Sequence, residues 1–289
     1  MVKSQSTKAA DWVIVGVCVL LILVCLLPLL NVLARSLSSP AALIKNEVLI
    51  WPKEFNFEAY KMVLTTEKYT RSLGFTALLT VLCTLVSMFM TVICAYPLTY
   101  DNLKGRTFFN TAIILTMYFS AGTIPNYLLL KDLGMLNSVW VMVLPSCLSV
   151  FNVIILRSFL FGVPESLRES AELDGAGPIR TMISIYLPLS GSVLATLALF
   201  YAVGRWNGFS DALMYVKNEK IFPIQLLLYN ILQSVTSVEV ATQEGFTAPG
   251  LADTIKAATV MFATVPILLV YPWLQRYFIA GVTIGAVKG

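Results

Sequence analysis

Six long apolar runs dominate the chain: Trp12 to Ala34, Leu73 to Tyr96, Phe108 to Leu130, Val139 to Leu156, Met182 to Gly204 and Ala257 to Leu274. A helix needs about 20 apolar residues to cross the hydrocarbon layer, and in lipid each backbone N–H and C=O must be satisfied within the protein. The runs predict an all-α integral membrane protein with six transmembrane helices, built as one membrane domain over residues 1–289. Lys3 and Lys8 precede the first run as they would in a signal peptide. Its length exceeds an h-region of roughly 7–15 residues, so it is read as a retained span. Prolines 28, 125, 145, 188, 266 and 272 lie in or beside the runs and predict kinks that the bundle must satisfy internally.

Several chemistries are excluded at once. The chain is 57% hydrophobic and 12% charged, with a mean hydropathy of +0.79, outside the range of soluble domains. It has no histidine, which removes the H-E-x-x-H metal helix and the Ser-His-Asp triad. It has no Gly-Lys pair and hence no P-loop, so no cofactor and no catalytic residue is expected on this chain. Cysteines 18, 25, 83, 94 and 147 all fall in apolar runs and read as small buried hydrophobes, not as a disulfide framework or zinc site. A net charge of +4 is too diffuse to point to nucleic acid.

Six spans put both termini on one side of the membrane, together with the loop between the fourth and fifth, and that side is read as cytoplasmic. The positive-inside rule adds little, because nine Lys and Arg lie on the proposed inner segments and eleven on the longer outer ones. Two outer loops are long. Arg35 to Arg71 contains WPKEFNFEAYKMVL, which predicts an interfacial helix with Phe57, Tyr60 and Val63 or Leu64 facing lipid. Arg205 to Lys256 contains the apolar segment Phe222 to Val235, several residues short of a span and read as a surface helix or docking loop.

The cores of the six runs contain no Asp, Glu, Lys or Arg. Proton- and voltage-driven machines keep ionisable groups in the membrane, so proton coupling is disfavoured, while sodium bound by carbonyls and hydroxyls stays open. A path lined by hydroxyls, amides and aromatics suits a sugar, whose hydroxyl rim and apolar ring faces need both. Tyr118, Asn126, Tyr127, Asn152, Tyr201, Trp206 and Asn207 are the candidates, although Tyr and Trp near span ends also fit ordinary interfacial anchors.

Between the fourth and fifth runs lies a charged, glycine-jointed stretch, Glu165 to Pro188, reading ESLRESAELDGAGPIRTMISIYLP. Pro164 suits a helix start, and Glu165 and Glu169 complement the dipole at its N-terminus. Leu167, Ser170, Ala171 and Asp174 recur at three- and four-residue spacing on one small-residue face, with Glu165, Arg168, Glu169 and Glu172 beside it. Gly175 and Gly177 permit a sharp exit, and Pro178 can open a second helix. The product is an elbow that could sit in a partner's groove or serve as an ordinary amphipathic loop helix.

The spacing Glu169-Ser170-Ala171, three residues, Gly175, nine residues, Ile185, one residue, Leu187-Pro188 resembles the EAA loop of the membrane subunits of binding-protein-dependent ABC importers. AYPL at 95–98, LKGR at 103–106, GTIPNY at 122–127, FYAVGRWN at 200–207 and the C-terminal IGAVKG are similar to the carbohydrate branch of that family. The likeness is to the maltose-type second permease and, nearer still, to the alginate and complex-oligosaccharide permeases, and it runs from about Ser72 to the last residue. Ser170 replaces the usual alanine, and Ser192 stands where many relatives carry proline.

The resemblance implies the type I importer permease fold in a bacterial cytoplasmic membrane and one half of a saccharide path. It further implies a second homologous permease, two ATPase subunits that hold ATP and Mg, and an extracytoplasmic solute-binding protein. In that reading Leu167 and Ala171 pack into an ATPase cleft, Glu169 and Asp174 make charged or capping contacts, and Gly175 makes the turn. Ile185 and Leu187-Pro188 complete the signature, and Pro188 could equally serve only to kink the fifth span. A sodium-coupled carrier, an export or scaffold subunit and an importer of amino acids or peptides are the alternatives.

Overall fold

The computed structural model describes residues 5–234 and 250–286, and no strand occurs among the described residues. Segments 1–70 and 227–265 form one compact unit, and 71–226 with 266–289 a second.

In the first unit, α1 (Gln5–Ser36) runs unbroken through Pro28. From Asp11 to Leu30 its side chains are exposed, as expected of a helix that meets lipid or another chain. Cys18 and Cys25 share that exposure, so these two cysteines are not the buried hydrophobes their apolar setting suggested. Ser39 caps α2 (Pro40–Ile44) by accepting from Ala42 N at 3.2 Å. The helix α3 (Glu58–Thr65) starts seven residues later than the aromatic segment predicted, and of the residues expected to face outward Tyr60 turns inward. Val63 and Ala59 are buried, and the Tyr60 hydroxyl pairs with Ser36 Oγ at 2.8 Å, which leaves Phe57 and Leu64 outside. A β-carbon on Gly250, whose φ is +80°, would come within 2.5 Å of the Pro40 carbonyl oxygen, so only glycine permits this close approach.

Much of the second unit belongs to spans that are broken. After α4 (Glu67–Ala95), the third apolar run divides into α5 (Arg106–Tyr118) and α6 (Thr123–Asp132), bent by 114° at a joint closed by Gly122 with φ +87°. The fourth divides into α7 (Trp140–Val143) and α8 (Val150–Leu160), with Pro145 in the gap. The elbow helix α9 (Glu165–Leu173) then leaves α8 at 75°. The fifth comprises α10 (Pro178–Thr181), a π-helical turn over Met182–Tyr186 and α11 (Leu187–Leu189), then α12 (Gly191–Asn207) at 84°. Pro188 lacks the N–H that the Ser184 carbonyl would accept, and its ring crowds that oxygen; the wider π turn relieves both. Among the described residues three helices are long and apolar enough to cross alone, and by length and composition up to six spans are possible if each bent pair, the pair of α8 with the elbow included, counts as one.

After α13 (Ser210–Tyr215) comes α14 (Ile224–Ser234), too short to span, as expected, yet with Ile224, Leu226, Leu227 and Ile231 buried. It is a packed helix and not the surface helix that Phe222 to Val235 suggested; Val235 itself lies outside the described residues. Ile224 N donates to Thr76 Oγ1 of α4 at 2.8 Å. The last helix, α15 (Leu251–Ala286), continues through Pro266 and Pro272. The end of the C-terminal IGAVKG falls outside the described residues.

Candidate functional site

The elbow is closed as a helix with a Schellman end. Ala176 N donates to Ala171 O at 2.8 Å and Gly175 N to Glu172 O at 3.0 Å, with Gly175 left-handed at φ +78°. Leu167, Glu169, Ser170 and Asp174 are exposed and Ala171 is half-buried. Ile185 turns inward against the core formed by Tyr96, Val153, Leu156, Tyr186 and Leu197, and Leu187 lines an apolar groove beside α4, while Pro188 is exposed. The signature residues thus divide between an outward face and an inward anchor. Leu173, outside the signature, is 90% exposed at the tip, the most exposed apolar side chain of α9. Its apolar character in an otherwise charged helix is the signal that could have found it.

A tyrosine cluster ties the elbow to the helices beneath it. The Tyr96 and Tyr100 hydroxyls pair at 2.6 Å, the Tyr96 hydroxyl donates to Pro178 O at 3.0 Å, and the Tyr96 ring meets Tyr186 edge-on at 5.2 Å. Arg168 lies 4.9 Å from the Tyr100 ring centroid while ion-pairing with Glu165 and Glu172. Arg106 and Arg157 approach the Phe161 ring to 4.9 and 5.1 Å, a further pair of cation–π contacts where α8 hands over to the elbow. Through Arg168 and Tyr100, α9 thus touches the segment that follows α4, and through Tyr96 that segment touches the π turn.

The same unit holds a cavity of about 760 Å³ between α4, α8, α12 and α13. Of the predicted path residues it brings together Asn152 and Tyr201. The Tyr201 hydroxyl links three elements: it pairs with Thr91 Oγ1 of α4 at 2.7 Å and accepts from Ser149 N at 3.0 Å, just before α8. Partly exposed Phe151 and Phe200 add apolar faces, and Ser87, Ser146 and Ser149 add small polar groups. The other candidates lie elsewhere. Tyr118 and Asn126 are exposed, Tyr127 stacks on Tyr215 at 6.1 Å, and exposed Asn207 donates from its side chain to Val203 O at 3.0 Å. Trp206 lines a separate, almost wholly apolar cleft with Ala77, Val81, Val203 and Pro266.

One wall of the cavity carries a charge pair that a charge-free reading of the spans overlooks, because α12 extends past Gly204. Arg205, with only 7% of its side chain exposed, binds Asp211 at 2.5 and 3.0 Å. Its remaining terminal N–H groups reach Met142 O at 3.2 Å and Gly208 O at 2.8 Å. The Met142 carbonyl, released where α7 ends, also accepts from Ser146 Oγ at 3.3 Å and Cys83 Sγ at 3.7 Å. The guanidinium therefore satisfies backbone that the break in the fourth span leaves open. No group of three or more potential metal-ligating side chains occurs among the described residues.

Residues 74–284 match the family described as binding-protein-dependent transport system inner membrane component. The chain is 41% identical over 266 residues to Protein LplC of Bacillus subtilis (strain 168), covering 91% of this chain and 90% of that one. It is 37% identical over 286 residues to the polygalacturonan/rhamnogalacturonan transport system permease protein YtcP of the same organism, covering 99% and 100%. Among solved structures, a chain of a bacterial ABC transporter involved in import of the acidic polysaccharide alginate superposes with a TM-score of 0.89 at 29% identity, covering 96% of this chain and 99% of that one. With its helices, its broken spans and a match over most of its length, this multi-pass chain belongs to the inner membrane components of binding-protein-dependent transport systems, a transport subunit and not an enzyme.

Proposed function

We propose that the chain forms half of the path by which an ABC importer takes up a saccharide, which we read as an oligosaccharide, and that α9 receives the force of ATP hydrolysis. The carrying observation is the elbow. It is a short helix with Leu167 and Leu173 facing outward, closed at Gly175 and anchored through Arg168, Tyr96, Tyr100 and Tyr186 to the spans that would have to move. In this reading ATP and Mg sit on two partner ATPases, whose approach on binding ATP draws the elbows inward and tips the spans between two rigid packings. Leu167, Leu173 and Ala171 seat in the ATPase cleft, Glu169, Ser170 and Asp174 border it, and Ile185, Leu187 and Pro188 transmit its motion. A second, homologous permease completes the path, an extracytoplasmic binding protein delivers the solute, and both termini are cytoplasmic.

The cavity suits the substrate half of this reading. Phe151, Phe200 and Tyr201 supply faces for pyranose rings, and Asn152 with the serines supplies hydrogen bonds. Trp206, which lines the separate apolar cleft, is assigned to packing, and exposed Asn207 lies away from this cavity. Leu173→Asp in the assembled, vesicle-reconstituted transporter tests the elbow. Exposed in the chain, Leu173 can change without disturbing the fold, whereas burying leucine in a cleft is worth about 1.5–3 kcal/mol, a roughly 10- to 100-fold loss of ATPase affinity. Undiminished ATPase association and uptake would overturn the docking role.

A further inference from the structure

We propose that residues 47–57 form an anchor seated in the headgroup layer of the bilayer at the Arg35 end of α1, with Leu49, Trp51, Phe55 and Phe57 as the inserted side chains. The depth follows from α1. Its exposed apolar surface extends from Trp12 to Leu30, and 19 helical residues rise about 28 Å, close to the roughly 30 Å hydrocarbon thickness. Beyond Leu30 the helix changes character: Asn31 is polar, and Ala34, Ser36 and Ser38 are buried. The hydrocarbon boundary on this side therefore lies near Asn31.

The Asn31 amide donates to Leu49 O at 2.5 Å, which holds the loop level with that boundary. Three backbone contacts keep the loop from swinging away: Lys53 N donates to Ser38 Oγ at 3.0 Å, Ser39 N to Lys53 O at 3.2 Å and Asn56 N to Leu37 O at 2.9 Å. Ser38 Oγ in turn donates to Ala34 O of α1 at 2.6 Å, and Ser39 Oγ donates to Glu54. The loop so fixed points apolar groups outward, Trp51 80% and Leu49 74% exposed, with Phe55 and Phe57 meeting edge-on at 5.0 Å. Exposed apolar area of this kind is costly in water, whereas the headgroup layer accepts an indole whose apolar ring and polar N–H match its two sides. The surface is continuous with the membrane-facing surface of α1, and lipid is the occupant this geometry fits.

The test uses the full chain in phosphatidylcholine nanodiscs and takes the emission of Trp51 as the difference between the wild type and Trp51→Phe. Trp51 lies outside the packed core, and phenylalanine keeps its apolar ring, so the variant retains the fold. Lipid brominated just below the headgroup should reduce the Trp51 emission about twofold and lipid brominated at the chain ends much less, with little quenching by aqueous acrylamide. Free quenching by acrylamide without any response to brominated lipid would overturn the proposal and leave the loop as a water-facing surface open to a protein partner. Stronger quenching by the deep bromines would also overturn it, since the loop would then lie within the hydrocarbon.

Discussion

Replacing Arg205 by methionine should destabilise the chain more than almost any other single change outside its apolar core. Four terminal N–H contacts disappear, two of them to Asp211 and one each to Met142 O and Gly208 O. Removing one partner of a buried pair costs about 3–5 kcal/mol, chiefly because the other charge remains uncompensated. Asp211 is 26% exposed on its side chain and keeps some hydration, which places the loss near the lower bound, about 3 kcal/mol. At about 2–4 °C per kcal/mol for chains of a few hundred residues, the apparent melting temperature in detergent should fall roughly 6–12 °C. Asp211→Asn should cost a similar amount, because it leaves the guanidinium buried with two carbonyls. The double variant Arg205→Met with Asp211→Leu should lose less than the sum of the singles, since neither charge is then stranded. Thermal unfolding followed by size-exclusion fluorescence measures all three. Singles within about 1 °C of wild type, or strictly additive losses, would refute the clamp.

Gly175→Ala should weaken coupling without disturbing the spans: no atom stands in the way of a β-carbon, so the cost is the left-handed φ of +78°, about 1–2 kcal/mol, and it falls on the end of α9. Solute-stimulated ATPase activity should drop while the amount of inserted protein stays constant. Phe200→Ala, on the cavity that holds Asn152 and Tyr201, should raise the solute concentration giving half-maximal uptake severalfold. Trp206→Ala should instead lower stability by about 1–2 kcal/mol and leave that concentration unchanged, because its partly buried ring lines the separate apolar cleft.

Hydropathy and punctuation carried much of the architecture. Run length alone placed the spans, and Pro164, Gly175, Gly177 and Pro178 marked where the elbow begins, turns and resumes, because helix starts and left-handed ends are local, residue-specific properties. Faces were a different matter. A helix apolar on every side has no periodicity to say which side is inward, so α1 hid the exposure of Cys18 and Cys25, and α12 hid that Tyr201 and Trp206 open onto different cavities. One face of α3 was misread for a related reason: a hydrogen bond to Ser36, 24 residues away, turned Tyr60 inward. Arg205 sat one residue beyond a predicted span end and looked like a loop cation, until α12 continued to Asn207 and a broken helix 63 residues earlier offered it the Met142 carbonyl. Sequence by itself determined the number and length of the apolar runs and where the chain turns between the fourth and the fifth. Tertiary structure alone decided which polar groups meet inside it, because their partners lie 50 to 110 residues apart, as Ser149 and Thr91 do from Tyr201, and no local pattern records such distances.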